Sequence, residues 1–293
     1  MMAALGAVER AGTREPGVLG IHFEGPFLSP KKAGVHRPDW CRRPEPHHRR
    51  MLAGHHKGVL LVTLAPEQTP PGFIAELATA GVKVSLGHSM ATYQQTRAAM
   101  AEGLTGFTHL FNAMRPLSSR EPGPIAAALE SPSAFYGLIV DGEPVAPAML
   151  RLALRAGTGH PMLVTDAMPP VGGCKQEFAL QDQQITVRDS RCTTGQGTLA
   201  GSAMDMASAV RNCVRLLQLP LDQALAFAST EPAKFLGIVR ILSNRVHAVI
   251  RGLDRLDPRI QQRSQTSGLS MTGSSPALTA LRHMGNLPVQ FRT

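Results

Sequence analysis

Aromatic residues are scarce in this 293-residue chain: one Trp, two Tyr and ten Phe. The core must therefore be built mainly from Leu, Val, Ala and Ile. No apolar run reaches the roughly 18 to 20 residues that span a bilayer as a helix, which argues against a membrane-spanning helix. The opening residues, Met1 to Arg10, lack the charged-then-apolar layout of a secretory signal, so a cytoplasmic location is expected. Cysteine is also sparse. Cys41, Cys174, Cys192 and Cys213 form no CxxC pair and no zinc-ribbon spacing, which points to unpaired cytosolic thiols.

Acidic residues are outnumbered, 21 against 30 Lys and Arg, for a formal net charge of +9. The excess is uneven. Residues 240–293 hold eight Arg and only Asp254 and Asp257, so that segment supplies +6. The tail has neither interleaved aromatics nor a recognisable nucleic-acid module, and no nucleic-acid partner is expected. Its Ser, Thr, Gln and Gly content predicts a poorly packed or disordered segment after residue 238. Within the main body Lys31, Lys32, Arg37, Arg42, Arg43, Arg49 and Arg50 cluster with His36, His47 and His48. They form either a solvated loop or a surface that attracts an anion.

What is present is a repeated alternation. Six runs of strand length lie at 18–23, 58–64, 82–86, 106–110, 135–140 and 161–165, the second a continuous apolar run stopped by Ala65-Pro66-Glu67. Helical patterns stand at 71–80, 92–102 and 147–156. Strands alternating with helices at this spacing predict a parallel α/β architecture. Residues 174–198 read as a polar excursion with short β-like pieces at 178–180 and 184–187, a hairpin. Residues 199–202 read as the opening of a helical stretch over 203–217, with further helices at 221–228 and 233–236.

Titratable residues stand at the ends of several strands: Glu24, His88, His109, Asp141 and Asp166. In parallel α/β barrels the C-terminal strand ends are where chemistry is built. One carboxylate and two imidazoles make a mixed oxygen and nitrogen donor set that suits Zn²⁺ or a similar divalent ion. Asp166 suits a general base beside a metal-bound water. Arg120 suits a phosphate or carboxylate. Read singly, each has a plainer role: Glu24 before Gly25-Pro26 as a turn residue, the histidines as hydrogen-bonded core groups, Asp166 as a cap, Arg120 as a surface arginine.

Five segments carry a resemblance. Gly20-Ile21-His22-Phe23-Glu24-Gly25-Pro26-Phe27, Gly87-His88-Ser89, Thr108-His109-Leu110-Phe111-Asn112-Ala113-Met114, Leu163-Val164-Thr165-Asp166-Ala167 and Leu199-Ala200-Gly201-Ser202 resemble the N-acetylglucosamine-6-phosphate deacetylases of the amidohydrolase superfamily. The likeness covers residues 17–238. It implies an α/β fold, an incomplete TIM-type (β/α) barrel with about six of eight strands and an accessory β-sandwich largely missing. The implied organisation is a partial barrel over 1–238 and a basic tail over 239–293. It implies one divalent metal per subunit, zinc first with iron, manganese or cobalt as alternatives, on Glu24, His88 and His109. Asp166 would be the general acid and base. Val35, His36, Asn112, Ala113, Arg120, Leu199, Ala200 and Gly201 would contact a phosphorylated amino sugar, and Arg120 would reach the neighbouring subunit of a homodimer. The implied reaction is deacetylation to glucosamine 6-phosphate and acetate. The alternative is a catalytically impaired fragment that only self-associates.

The chain departs from the family in three places. Pro144 stands where relatives carry a substrate-binding histidine, and proline offers no side-chain donor. Relatives carry a longer preceding segment, often with a His-X-His motif that this chain lacks. Residues 239–293 do not resemble the family's ending and read as a shifted reading frame or an alternative gene product.

Overall fold

Six strands lie side by side in sequence order, every neighbouring pair parallel. They are found in a computed structural model that describes residues 1–12, 18–54, 57–171, 173, 176–180, 183–188 and 191–238. The expected tail over 239–293 and Cys174 lie outside the described residues.

In chain order the elements are α1 (Met2–Gly12), β1 (Gly20–Glu24), α2 (Pro46–Leu52), β2 (Val59–Leu64), α3 (Phe73–Thr79), β3 (Lys83–Leu86), α4 (Tyr93–Ala101) and β4 (Gly106–Phe107). These continue with α5 (Gly123–Glu130), β5 (Phe135–Leu138), α6 (Pro147–Ala156) and β6 (His160–Leu163). The sheet runs β1-β2-β3-β4-β5-β6 and does not close on itself among the described residues. This is the expected α/β architecture with six parallel strands.

The uninterrupted Val-Leu-Leu-Val-Thr-Leu of β2 is explained by burial. Leu60, Val62 and Leu64 are buried, packed in one core with Phe73, Ile74 and Leu77 of α3 and with Val84 and Leu86 of β3. Each such side chain contributes about 1.5–3 kcal/mol of transfer free energy. The helices begin where local chemistry allows. Thr92 caps α4 in a reciprocal box: its hydroxyl accepts from the Gln95 N–H and its own N–H donates to Gln95 Oε1. Helical periodicity does not single out α5, because Pro122, Gly123 and Pro124 resemble a loop. Pro124 instead occupies the first turn, where its missing N–H costs nothing.

Two expectations are corrected. The expected hairpin is present as β7 (Glu177–Leu180) and β8 (Gln183–Arg188), but β9 (Arg191–Thr194) and β10 (Leu199–Ser202) extend it to a four-stranded antiparallel sheet in the order β10-β9-β8-β7. Residues 199–202 therefore form a strand, not a helix entrance. The next helix, α7 (Met206–Leu216), starts at Asp205, whose carboxylate accepts from the Ser208 N–H at 2.6 Å. The second correction concerns β4, which ends at Phe107 and leaves His109 beyond the strand. Thr108 N still donates to Leu86 O, but the chain then turns.

Two last helices, α8 (Leu221–Ala228) and α9 (Thr230–Leu236), complete the described chain. The second closes the sheet's N-terminal edge. His160 of β6 stacks on Phe135 of β5 at 4.5 Å between ring centroids and bonds Glu231 at 2.9 Å. Lys234 bonds the same carboxylate at 2.8 Å. The opposite edge carries the titratable residues, and close backbone approach is needed there. A Cβ on Gly87 would lie 2.3 Å from Thr108 Cγ2 and 2.7 Å from Thr63 Cγ2. Gly87→Ala is therefore expected to destabilise the protein by about 1–3 kcal/mol through overpacking. A urea unfolding midpoint equal to that of the parent would contradict this close packing.

Candidate metal centre

Three strand ends meet at one point. Glu24 is the last residue of β1, and His88 and His109 follow β3 and β4 by a few residues. Glu24 Oε1 lies 3.0 Å from His109 Nε2 and 3.3 Å from His88 Nε2. The two imidazole nitrogens are 3.1 Å apart. Both histidines are buried.

The far side of each ring is tied to the backbone. His88 Nδ1 is 2.8 Å from Lys32 O, and His109 Nδ1 is 3.1 Å from Asn112 O. A carbonyl only accepts, so each Nδ1 must carry the proton and donate. Each Nε2 is then left with a lone pair facing a carboxylate oxygen and another lone pair. That is a set of acceptors which only a shared cation or proton can satisfy. Donor atoms about 2.0–2.1 Å from a tetrahedral zinc stand roughly 3.3 Å from each other. The separations here match that spacing, and the donor types match the ion, so the residues present fit a divalent metal.

Charge in the cluster follows the same logic. Burial works to raise the Glu24 carboxyl, yet hydrogen bonds from His109 and His88 hold it well below the usual carboxylate range. Burial works to lower His109, but the bond to Glu24 and the charges of Glu24 and Asp166 push it up to about 9. A proton on His109 thus balances the carboxylate when no metal does. His36 joins from the side: its ring meets the His88 ring edge-on at 4.8 Å between centroids. Glu24, His36 and His88 can each offer a donor atom within 4.8 Å of the others. Burial first, and the neighbouring His88 ring after it, bring His36 down to about 4, so it stands neutral. The Glu24, His88 and His109 atoms are closer together, and we take them as the centre of the cluster.

Backbone strain collects here. His88, His109 and Asp166 adopt φ of 48°, 27° and 50°, and Phe111 and Ala113 are also left-handed. Such conformations cost on the order of 1–3 kcal/mol each and persist only where neighbours enforce them. The enforcing bonds are visible. Ser29 N donates to His88 O, Asn112 N to His109 O, Leu110 N to Gly137 O, and Ser202 N to Asp166 O.

Asp166 follows β6. Burial raises its carboxyl against the pull of His109, and it also feels the charges of Glu24 and His88. It is stitched to β10. Ser202 Oγ donates to Thr165 O at 2.5 Å, and Met168 N donates to Ser202 O at 2.8 Å. Gly201 makes this approach possible. Its φ is 60°, and a Cβ there would sit 2.6 Å from Asp166 O.

The other expected residues divide. Val35 packs with buried Ala200, Ile185 and Cys192 in a small second core, so the loop after β1 and the antiparallel sheet meet there. Leu199 and Gly201 belong to the same strand β10. Asn112 and Ala113 are used through their backbones: Asn112 O accepts from His109, and Ala113 O accepts from Ser89 N. Arg120 is exposed and is not joined to the cluster. Sequence reading treats Glu67 only as part of a strand stop. Its carboxylate in fact accepts from Ser89 Oγ and Met90 N, beside His88. The signal was available, since Glu67 follows the end of β2 much as Glu24 ends β1.

Comparison with known proteins identifies the family. The model of the amidohydrolase family matches residues 9–241. An N-acetylgalactosamine-6-phosphate deacetylase of Shewanella sp. (strain ANA-3) is 43% identical over 238 residues, covering 80% of this chain and 60% of the relative. An N-acetylglucosamine-6-phosphate deacetylase of Danio rerio is 40% identical over 242 residues, covering 79% of this chain and 60% of the relative. The crystal structure of N-acetylglucosamine-6-phosphate deacetylase from Pasteurella multocida superposes with a TM-score of 0.78 at 36% identity, over 81% of this chain and 63% of that one. The chain thus spans about 60% of the length of these curated relatives. Parallel strands in sequence order, strand ends that converge on two histidines and a glutamate, and the extent of the match lead to one conclusion: the chain belongs to the amidohydrolase family.

Proposed function

We propose that Glu24, His88 and His109 hold one divalent metal ion, zinc first with iron, manganese or cobalt as alternatives. We propose further that the chain removes the acetyl group from an N-acetylated amino-sugar 6-phosphate, N-acetylglucosamine 6-phosphate foremost. The observation that carries this reading is the convergence of two imidazole nitrogens and a carboxylate oxygen within 3.0–3.3 Å of one another, the spacing a shared divalent ion suits.

A metal bound there supplies a Lewis acid for the amide carbonyl and lowers the pKa of its water. The protein's own groups do the rest. Asp166 would serve as the general base for a proton of the attacking water and as the general acid that returns it to the departing amine. The anchored tautomers of His88 and His109 keep both Nε2 atoms aimed without reorganisation during the reaction. Val35, His36, Asn112, Ala113, Leu199, Ala200 and Gly201 would surround the sugar and its acetyl group. Arg120, exposed beyond β4, suits the phosphate, in its own subunit or across a homodimer in the cytoplasm. Relatives named for both C4 epimers match this chain, so both sugar phosphates belong in the assay.

A second reading rests on the open sheet: β1 and β6 are unpaired edges among the described residues. Open edges favour pairing between chains, so the chain would self-associate without turnover. The two readings separate on purified, zinc-loaded protein. Under the first, acetate is released, and Asp166→Asn lowers turnover by about 10²- to 10⁴-fold with metal content unchanged. A mutant as active as the parent contradicts the role of Asp166. A metal-free multimer with no acetate release supports the second reading.

Proton linkage gives an independent check. The raised His109 pKa stabilises metal-free protein fully below 6.5, and that contribution is lost as pH rises through about 9. The lowered Glu24 pKa contributes above 4.5 and is lost as pH falls through its folded value. Chelator-treated protein is therefore expected to lose urea resistance between about pH 6.5 and 9.5, while saturating zinc removes that decline. Identical pH profiles with and without zinc would contradict the reading.

A further inference from the structure

Glu67 stands three residues past the end of β2, between the strand that delivers Glu24 and the strand that delivers His88. Its two carboxylate oxygens have different partners. One accepts from Ser89 Oγ at 2.7 Å, the other from Met90 N at 2.6 Å. Ser89 follows His88 directly and is fully buried. Its hydroxyl also accepts from Ala91 N at 2.9 Å.

The same turn is held from the opposite side. Arg115, which follows the His109 loop, donates from Nε to Met90 O at 3.0 Å and Ala91 O at 3.1 Å, and from a terminal nitrogen to Met90 O at 2.7 Å. Its backbone N–H donates to Ser89 O, and Ser89 N donates to Ala113 O. Every backbone N–H and carbonyl from Ser89 to Ala91 that these bonds reach is thereby fixed. The residue just before them is His88, held at φ of 48°. Such a conformation relaxes unless its neighbours are pinned.

We propose that Glu67 is a positioning residue. Acting through Ser89 and Met90, it holds His88 Nε2 where the metal needs it, and Arg115 closes the same turn from the His109 side. This rests on the metal-site reading given above. A carboxylate suits the clamp because its two oxygens accept from two donors at once, a hydroxyl and an N–H, in charge-assisted bonds. In Glu67→Gln the amide oxygen keeps one of these bonds, the amide nitrogen meets Ser89 only if the hydroxyl turns to accept, and both bonds lose their charge assistance, while size and packing are unchanged.

The test titrates Zn²⁺ into chelator-treated protein and measures deacetylation kinetics and melting on the same samples. Glu102→Gln serves as control. Glu102 makes a similar double bond to backbone, accepting from Gly72 N and Ala75 N, but neither partner adjoins a histidine of the cluster. Glu67→Gln is expected to weaken zinc binding about tenfold and to lower kcat more than it raises KM. Glu102→Gln is expected to lower the melting temperature and leave zinc affinity unchanged. Ser89→Ala removes only one of the two donors and gives the same readout if Glu67→Gln does not fold. The two substitutions combined should cost less than the sum of their separate effects. If Glu67→Gln and Ser89→Ala only lower the melting temperature, as the control does, the proposal is overturned while the metal reading stands. If the parent protein itself takes up no zinc, the metal reading fails and the proposal fails with it.

Discussion

Two imidazole lone pairs and a carboxylate oxygen pointing at one another are a repulsive arrangement, and the rest of the structure depends on its being held. The cause lies one bond away. Lys32 O and Asn112 O occupy both Nδ1 positions, which fixes the tautomer and turns each Nε2 inward. A proton relieves the repulsion in metal-free protein, which is why His109 is pushed up and Glu24 down. A divalent ion relieves it better, since it accepts all three donors at once.

Holding that arrangement requires strained backbone at His88, His109 and Asp166. At about 1–3 kcal/mol each, the strain is a sizeable part of the roughly 5–15 kcal/mol by which a domain is stable. The fold spreads the cost over loops that follow parallel strands and bond to one another: Ser89 to Ala113, Ser29 to His88, Ser202 to Asp166. The antiparallel sheet has a part in this. Without Gly201 and Ser202 of β10, Asp166 would lose the partners that fix its backbone. The rigid sheet core below, Val62, Leu64, Leu86 and Phe107, gives these loops a fixed base.

The sheet was legible because a strand buried on both faces must read as an apolar run, as 58–64 does, and because strand-length runs such as 82–86 recur between helical patterns. Glu24, His88 and His109 were legible for a related reason, since polar groups that interrupt such runs at one end have few places to go. The parts that failed depend on distant partners. Leu199-Ala200-Gly201-Ser202 has no local strand signal; its pairing with β9 and with Ala167 makes it a strand. His109 lies past β4 because of bonds to Gly137 and Asn112 that no local pattern announces. Glu67 looked like loop punctuation because its donors are 22 and 23 residues away. His36 was expected at the sugar, and packing also places it against His88.

The central claim is that one cation is shared by Glu24, His88 and His109. The most direct measurement is X-ray absorption at the zinc edge on protein loaded with one equivalent of metal. The account predicts a first shell of nitrogen and oxygen only, at about 2.0–2.2 Å, with the scattering signature of two imidazoles that falls to one in His109→Ala. A sulfur shell, or a spectrum unchanged by His109→Ala, would contradict it.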